Sequence, residues 1–226
     1  MSRIARVVVP GIAHHVTQRG NRRERVFFSD GDYGFYLDLI SAAARKSGTE
    51  VWAWCLMPNH VHMVAVPSEP GGLARAFADT HRRYTGRINA RNRWTGHLWQ
   101  SRFGSVAMDE EHLAAAVAYV IANPVRARLV GQPEAWRWSS ARAYLAGVAD
   151  GLTATGPMLS RFPDFAAYLA GEPARGEACA RLRRAEQSGR PLGSPGFVER
   201  LEQLTSRRLT PQKRGPKPRP AGAMKG

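Results

Sequence analysis

The order of strand and helix patterns up to residue 123 constrains the fold more than any other feature of this chain. Alternation of apolar residues with β-branched or aromatic enrichment predicts strands, whereas apolar residues at every third or fourth position predict helices. Glycines, prolines and capping residues mark where each segment ends. The predicted elements are a strand at 13–17, a helix at 30–47, strands at 51–57 and 60–66, a helix at 72–88, a strand at 98–108 and a helix at 110–123.

This strand, helix, strand, strand, helix, strand order is the split βαββαβ pattern of a ferredoxin-like fold. We therefore predict an α+β fold class, with an antiparallel sheet, helices on one face and an appended third helix that carries Tyr119. The predicted domains are a catalytic domain at 1–147, a linker or loosely packed segment at 148–176, a small helical region at 177–209 that could bind DNA, and a basic disordered tail at 210–226.

The excess of basic residues indicates an anionic partner. The chain has 33 Lys+Arg against 18 Asp+Glu, which gives a formal net charge of +15. Such an excess does nothing for a hydrophobic core, but cations placed on phosphates release condensed counterions and so favour binding. We expect a nucleic acid, and the alternatives are an acidic membrane surface or an acidic protein.

Cysteine usage and apolar runs limit the compartment and the kind of site. Cys55 and Cys179 are far apart in sequence, which excludes a disulfide framework and a multi-cysteine zinc site. The first residues lack the apolar segment of a signal peptide, and the longest apolar run, 113–122, is too short to span a bilayer. We therefore expect a soluble cytoplasmic protein without a membrane partner.

A His-Val-His sequence on the predicted strand 60–66 is the first candidate for chemistry. Side chains alternate along a strand, so His60 and His62 project from the same face, roughly 7 Å apart along the strand. Two imidazoles can converge on one divalent ion, but a closed zinc site needs four ligands. The pair indicates either an open catalytic metal site with a third ligand elsewhere, or two half-buried histidines that bind no metal.

The predicted helix 110–123 supplies the second candidate. Helical-wheel geometry gathers the large apolar residues into one core-facing stripe, made of Leu113, Val117, Val120 and Ile121. Tyr119 falls about 150° from the centre of that stripe, and Asn123 lies one turn later on the same side, where alanine neighbours leave room for a large group. The alternatives are a surface tyrosine and an asparagine that only ends the helix before Pro124.

Together these residues predict a metal-dependent reaction at phosphorus. His60 and His62 would supply two nitrogens, and Asn123 one oxygen, to Mg²⁺ or Mn²⁺ with positions left open for phosphate. The ion would polarise the phosphate, and Tyr119, one turn before Asn123, would attack phosphorus. A phenol is a strong nucleophile only after it loses its proton, so we expect positive charge nearby.

Two motifs carry a resemblance to a known family. Met57-Pro58-Asn59-His60-Val61-His62 resembles the HUH element (His, hydrophobe, His) of single-tyrosine transposases, and the segment 118–127 resembles their tyrosine helix. Segments 98–103 and 136–140 are similar to elements of the REP-associated branch, whose members process palindromic repeat DNA. The resemblance covers roughly residues 1–145 and implies a ferredoxin-like fold, a 5′-phosphotyrosine link at Tyr119 and a metal bound by His60, His62 and Asn123. The third ligand in the family is often glutamine, and asparagine fits the REP-associated branch.

Arginines cluster in two regions, the loop after the first strand and the segment from the second helix to residue 102, and in the second region they are interleaved with aromatic residues. Arginine forks clamp phosphates and aromatic rings stack on bases, which suits single strands and hairpins. The alternative is a solvated helix face. The candidate DNA contacts are Arg19, Arg22, Arg23, Arg82, Arg83, Arg87, Arg91, Arg102, Lys213 and Arg214.

Two other functions stay open at this point. A ferredoxin-like sheet with aromatic residues also serves as a non-catalytic nucleic-acid-binding module, but this leaves the candidate metal ligands unused. A metal-activated water could instead hydrolyse DNA without a covalent intermediate. The expected partner is single-stranded or hairpin DNA, bound by a monomer or a homodimer in which Tyr119 serves its own subunit or the other.

Overall fold

A four-stranded antiparallel sheet forms the centre of the protein, in a computed structural model that describes residues 5–171 and 176–210. The strand order is β2-β3-β1-β4, so β1 lies between β3 and β4. This is the strand order of a ferredoxin-like sheet, and the predicted fold class is confirmed. The strands are β1 (His14–Arg19), β2 (Thr49–Met57), β3 (His60–Pro67) and β4 (Gly104–Ala107).

Two long helices, α1 (Asp30–Lys46) and α2 (Gly72–Asn92), cover one face of the sheet. The strand residues that point to this face join the apolar sides of both helices in a first buried cluster; they include Val16, Leu56, Val61 and Met63. Arg91 near the end of α2 forms a two-pronged ion pair with Asp32 in the first turn of α1. This pair ties the two helices together across their packing interface.

The opposite face carries α3 (Glu110–Ile121). Asp109 caps the start of this helix, because its side chain accepts a hydrogen bond from the backbone N–H of His112 at 3.1 Å. A second helix, α8 (Glu177–Ser188), packs against α3, so α3 is buried between the sheet and α8. The other described helices are α4 (Asn123–Arg126), α5 (Ala141–Leu145), α6 (Gly156–Arg161), α7 (Phe165–Ala170) and α9 (Pro195–Thr205).

Both edges of the sheet are covered by chain from outside it. Along β2, the backbone N–H of Leu56 donates to Trp138 (2.9 Å), and that of Ser140 donates to Trp54 (3.0 Å). Along β4, Leu192 donates to Ala107 at 2.8 Å. Covered edges cannot pair with another chain, and the second contact fixes the C-terminal region to the sheet.

Two segments differ from the sequence prediction. The strand predicted at 98–108 is shortened to β4, because Leu98, Trp99 and Phe103 turn out of the sheet and fill the first buried cluster. The segment 148–176, predicted as a linker or a loosely packed segment, contains α6 and α7 in its described part, where Met158 and Phe165 are buried in the cluster around α3. A few large apolar residues among the glycines, prolines and alanines supply enough apolar surface to pack the segment.

Residues 211–226, with Lys213 and Arg214 of the predicted tail, lie outside the described residues. Within the described part of the chain, no helix has the length and apolar character needed to cross a membrane.

Candidate active site

The His-Val-His pair lies on the face of the sheet that α3 covers. In the register of β1 with β3, His60 stands opposite Arg19 and His62 opposite Thr17, so these side chains share one face. The imidazole centroids of His60 and His62 are 4.8 Å apart and their planes are nearly perpendicular. The predicted placement of both rings on one face is therefore found, and the rings converge.

One ring nitrogen of each histidine is already engaged. His62 Nδ1 lies 3.0 Å from His15 Nε2, and His60 Nδ1 lies 2.5 Å from the side-chain oxygen of Asn59. Within the described residues, no hydrogen bond engages Nε2 of either His60 or His62. A neighbour on one ring nitrogen fixes the orientation of an imidazole and leaves its other nitrogen for a ligand.

Burial keeps these imidazoles neutral at physiological pH. Burial, and then the charge of Arg19, lower the pKa of His60 to about 3. Burial lowers the pKa of His15 to about 3 and holds that of His62 well below its usual value, where neighbouring His60 and His15 add to the effect. Neutral imidazole is the form that binds a metal ion.

Tyr119 on α3 lies against the same histidines. Its ring is edge-on to His62, with 5.5 Å between centroids, and edge-on to His15 at 6.0 Å. The guanidinium groups of Arg126 and Arg183 lie 4.3 Å and 5.6 Å from the centre of the tyrosine ring. The positive charge expected beside the phenol is therefore present, and it comes from α4 and from α8.

Tyr119 is more buried than its position on the helical wheel predicts. The residue is only 6% exposed, because α8 occupies the side of α3 where the alanines leave room. Cys179 of α8 contacts the backbone oxygen of Ala115 there, at 3.9 Å. Small residues at the surface of a helix can accept a neighbouring helix as readily as a substrate, and the sequence does not distinguish these cases.

Asn123 begins α4, directly after the end of α3. The residue is 7% exposed, and its side-chain amide nitrogen is buried without a hydrogen-bond partner in the described part of the chain. A buried polar side chain without a partner is costly and calls for a ligand or a water. An amide also presents an oxygen when its terminal group is turned, so Asn123 fits the predicted role of a hard ligand.

The donor set suits a divalent metal ion. Two neutral imidazoles have free nitrogens, and one buried amide lacks a partner. Nitrogen and oxygen donors with few protein ligands match an open catalytic site better than a closed structural one. The chemical types of these side chains are therefore compatible with a divalent metal ion.

A cleft of about 500 Å³ opens beside the two histidines. The residues that line it include Arg19, His60, His62, Gln100, Arg102 and Glu186. Burial raises the pKa of Glu186 to about 7, against the lowering effect of nearby arginines, so the group titrates near neutral pH. Tyr119 is not among the residues that line this cleft, and it reaches the histidines from the α3 side.

Sequence reasoning missed His15, Glu186 and the two arginines beside Tyr119, Arg126 and Arg183. His15 lies on the predicted first strand, and a histidine at an inward-facing position of a strand could have marked it. Only the register of β1 with β3, however, brings His15 next to His62. Glu186 comes from α8, more than a hundred residues later, and no local signal marks it. Long-range docking of this kind is not encoded in a periodic pattern.

The arginines predicted to contact DNA fall into three groups. Arg19 and Arg102 line the cleft, and Arg22 and Arg23 are exposed beside it in the loop after β1. Arg82, Arg83 and Arg87 on α2 are exposed. Arg82 and Arg83 both pair with the carboxylate of Asp79. Arg91 is engaged by Asp32 in the ion pair between α1 and α2.

Comparison with known proteins gives the family. The model of the IS200-like transposases matches residues 8–123, which include the histidine pair, Tyr119 and Asn123. No curated protein matches. A REP-associated tyrosine transposase, solved bound to a REP hairpin, shares the fold with a TM-score of 0.52 and 23% identity over 68% of this chain and 92% of that chain. A putative transposase from Deinococcus radiodurans gives a TM-score of 0.37 and 19% identity over 57% of this chain and 92% of that chain, a likeness too low to carry an argument. The chain therefore belongs to the family of IS200-like transposases, and its function is of the transposase type.

Proposed function

We propose that this protein cuts and rejoins single-stranded DNA, with Tyr119 as the nucleophile and a hairpin of palindromic repeat DNA as the substrate. The observation that carries the proposal is the edge-on contact of the Tyr119 ring with His62, at 5.5 Å between centroids. A phenol placed beside a pair of neutral imidazoles and two arginines is arranged for attack on a phosphate. Because Tyr119 and His62 belong to the same chain, we propose that the nucleophile serves its own subunit.

The proposed step is a transesterification. The phenol oxygen of Tyr119 forms a bond to phosphorus, and the bond between phosphorus and the 3′ oxygen breaks. The phenol gives up its proton and the departing 3′ oxygen takes one up, which yields a 5′-phosphotyrosine link and a free 3′-OH. Attack of a 3′-OH on the phosphotyrosine reverses the step and rejoins the strand, without an external source of energy.

His60, His62 and Asn123 are the proposed metal ligands. A bound Mg²⁺ or Mn²⁺ would neutralise phosphate charge and stabilise the charge that develops on the phosphoryl oxygens. The chain itself holds the two imidazoles neutral, ties their Nδ1 atoms to His15 and Asn59, and excludes most solvent from the phenol. Arg126 and Arg183 hold positive charge over the Tyr119 ring, where it would stabilise negative charge that develops during the attack.

The proposed DNA path follows the exposed arginines toward the cleft. Arg19 and Arg102 at the cleft would hold the phosphates next to the cut, and the exposed arginines of the β1 loop and α2 would bind the adjoining duplex or strand. The fold shared with a REP-associated tyrosine transposase that was solved with a REP hairpin supports a hairpin as the substrate class. Lys213 and Arg214 would add sequence-independent attraction.

The test is a cleavage reaction on a labelled hairpin oligonucleotide with a single-stranded flank, analysed on a denaturing gel. With Mg²⁺ or Mn²⁺, we expect a protein–DNA adduct that survives denaturation, and no adduct with a chelator. Tyr119→Phe should abolish the adduct while hairpin affinity stays within about threefold, because the hydroxyl is absent but the ring remains. Tyr168→Phe, at another partly buried tyrosine, is the matched control and should leave the adduct unchanged.

Three results would contradict the proposal. An adduct that persists in Tyr119→Phe would place the nucleophile elsewhere. Cleavage without an adduct would indicate hydrolysis by an activated water. Tight binding without cleavage at any metal concentration would indicate a non-catalytic nucleic-acid-binding protein.

A further inference from the structure

His15 and His62 are joined edge to edge. The planes of their rings are parallel within 1°, their centroids are 5.1 Å apart, and His15 Nε2 lies within hydrogen-bond distance of His62 Nδ1, at 3.0 Å. Two imidazoles stacked face to face would have their centroids closer together. The observed distance between centroids is about the length of one hydrogen bond plus the radii of the two rings. The contact is therefore an in-plane N–H···N hydrogen bond between the imidazoles.

The same geometry argues against a metal ion between these two rings. His15, His62 and Glu186 have ligand atoms within 4.8 Å of one another, so they could in principle surround an ion. Two imidazoles that bind one ion aim their lone pairs at a common point away from the line between the nitrogens. In this site the two nitrogens aim at each other, which is the arrangement for sharing one proton.

The second nitrogen of His15 faces a carboxylate. His15 Nδ1 lies 3.4 Å from Glu186 Oε1, and neither atom has a hydrogen-bond partner elsewhere in the described residues. The His15 side chain is fully buried, and that of Glu186 is 20% exposed. Two buried polar atoms this close, neither of which has another partner, each gain a partner from a small rotation of the glutamate side chain.

We infer that His15 and Glu186 are positioning residues for His62, in a chain Glu186–His15–His62 that fixes which nitrogen of His62 is free to bind the metal. The inference rests on the proposed function, because it assigns His62 as a ligand. In its ionised form Glu186 only accepts, so in that form His15 Nδ1 carries the proton and is the donor toward Glu186. His15 Nε2 then accepts from His62 Nδ1–H, and the lone pair of His62 Nε2 is left for the ion.

This arrangement gives the C-terminal region a role at the site. Glu186 reaches His15 only because α8 packs on α3, with Cys179, Leu182 and Ala185 buried in their interface. The histidines of the sheet and the carboxylate of α8 therefore form one unit from two distant parts of the sequence. His60 has the simpler arrangement, in which its neighbour Asn59 supplies the acceptor for Nδ1.

The first test needs neither metal nor DNA. In the full-length chain labelled with ¹⁵N-histidine, the two-bond proton–nitrogen correlations of each imidazole report its tautomer. We expect His62 as the Nδ1–H tautomer in the metal-free protein, with its signals identified by their loss in His62→Gln. In His15→Phe we expect the Nε2–H tautomer to appear, since a free imidazole in water favours it. His62 found as the Nε2–H tautomer in the wild-type chain would overturn the inference.

The second test measures Mn²⁺ affinity from the electron paramagnetic resonance signal of free Mn²⁺. His15→Phe should weaken binding by about tenfold to a hundredfold, and Glu186→Leu should weaken it in the same direction by a smaller factor. His15→Gln keeps an acceptor oxygen for His62 Nδ1–H and should restore most of the affinity. His14→Phe is the matched control, because His14 is equally buried on β1 but points to the other face of the sheet and bonds backbone atoms of Val9 and Ile12.

The outcomes separate this inference from the proposed function. Absence of Mn²⁺ binding in the wild-type protein would contradict the metal site, and with it both proposals. Binding that is as tight in His15→Phe as in the wild type would overturn only the positioning role. Complete loss of Mn²⁺ binding in Glu186→Gln would show that Glu186 is itself a metal ligand, and this result would also overturn the positioning role. The expected tautomer and affinities, found together with no covalent adduct on DNA, would leave the positioning role intact and refute the tyrosine chemistry.

Discussion

At the scale of single residues, the site combines neutral nitrogens with fixed positive charge. Burial keeps His60 and His62 uncharged, while Arg126 and Arg183 lie over the ring of Tyr119. Neutral imidazoles would bind a cation without repelling it, and the arginines would stabilise the anion that the phenol becomes. The two requirements are opposite in sign, and burial of the imidazoles meets the first, because His60 and His62 stay neutral although Arg19 and Arg126 lie close enough to lower the pKa of His62.

Arg126 is expected to accelerate the chemical step without contributing much to binding. Its guanidinium is 4.3 Å from the centre of the Tyr119 ring, where a charge of this kind is worth about 1–3 kcal/mol to an adjacent anion. Arg126→Ala should therefore slow formation of the covalent adduct by roughly 10- to 100-fold. Single-turnover rates on saturating hairpin DNA measure this effect separately from affinity.

Two further variants interpret that result. Arg126→Lys keeps the charge and should recover most of the rate. Arg142→Ala removes an exposed arginine from α5 and should leave the rate within about twofold. Equal rates for wild type and Arg126→Ala would show that this cation plays no part in activating the phenol.

At the scale of elements, α3 is the piece that brings nucleophile and histidines together. The sequence predicted its limits well, because Asp109 caps it and Pro124 follows its end. It also predicted the face shared by His60 and His62, since alternation along a strand is a local property. The cover that α8 forms over Tyr119, and the meeting of His15 with His62, depend on contacts between distant segments, which no periodicity specifies.

The packing of α8 on α3 is expected to hold Glu186 in place. Leu182 is 1% exposed in this interface, and its truncation to alanine leaves a cavity that costs about 2–4 kcal/mol of the free energy of unfolding. Leu182→Ala should therefore lower the urea midpoint clearly. Arg181→Ala, which removes an exposed ion pair with Glu177 on the outer side of the same helix, should change stability by less than about 0.5 kcal/mol. Equal losses in both variants would mean that α8 is not packed as described.

At the scale of the whole molecule, the sheet separates two buried clusters, one under α1 and α2 and the other around α3. The C-terminal region belongs to this architecture through α8, α9 and the contact of Leu192 with β4. The order of elements predicted the sheet, because the strand and helix periods are written in the sequence. The separate role expected for 177–209 remains a prediction, since the described contacts of that region are with the rest of the fold.

Buried neutral histidines are expected to make the fold sensitive to acid. Burial lowers the pKa of His14 to about 4 and that of His81 to about 3, whereas the unfolded chain binds these protons below about 6.5. The unfolded state then binds more protons than the native state, so the free energy of unfolding falls as the pH drops below about 6.5. Each residue alone accounts for a loss of about 2 kcal/mol at pH 5.

Urea unfolding between pH 5 and pH 7 measures that dependence. His81→Gln keeps a polar partner for the hydroxyl of Tyr36, which lies 3.0 Å from His81 Nε2, but glutamine does not titrate. Its stability should therefore depend on pH less steeply than that of the wild type, by up to about 1.4 kcal/mol per pH unit. Identical slopes would show that His81 is charged in the folded protein.

The most direct measurement of the central claim is the identity of the amino acid that carries the DNA after cutting. The covalent complex formed with Mg²⁺ or Mn²⁺ would be digested with nuclease and protease, and the modified peptide sequenced by mass spectrometry. The account predicts a nucleotide remnant joined through its 5′ phosphate to the phenol oxygen of Tyr119. A remnant on any other side chain would contradict it.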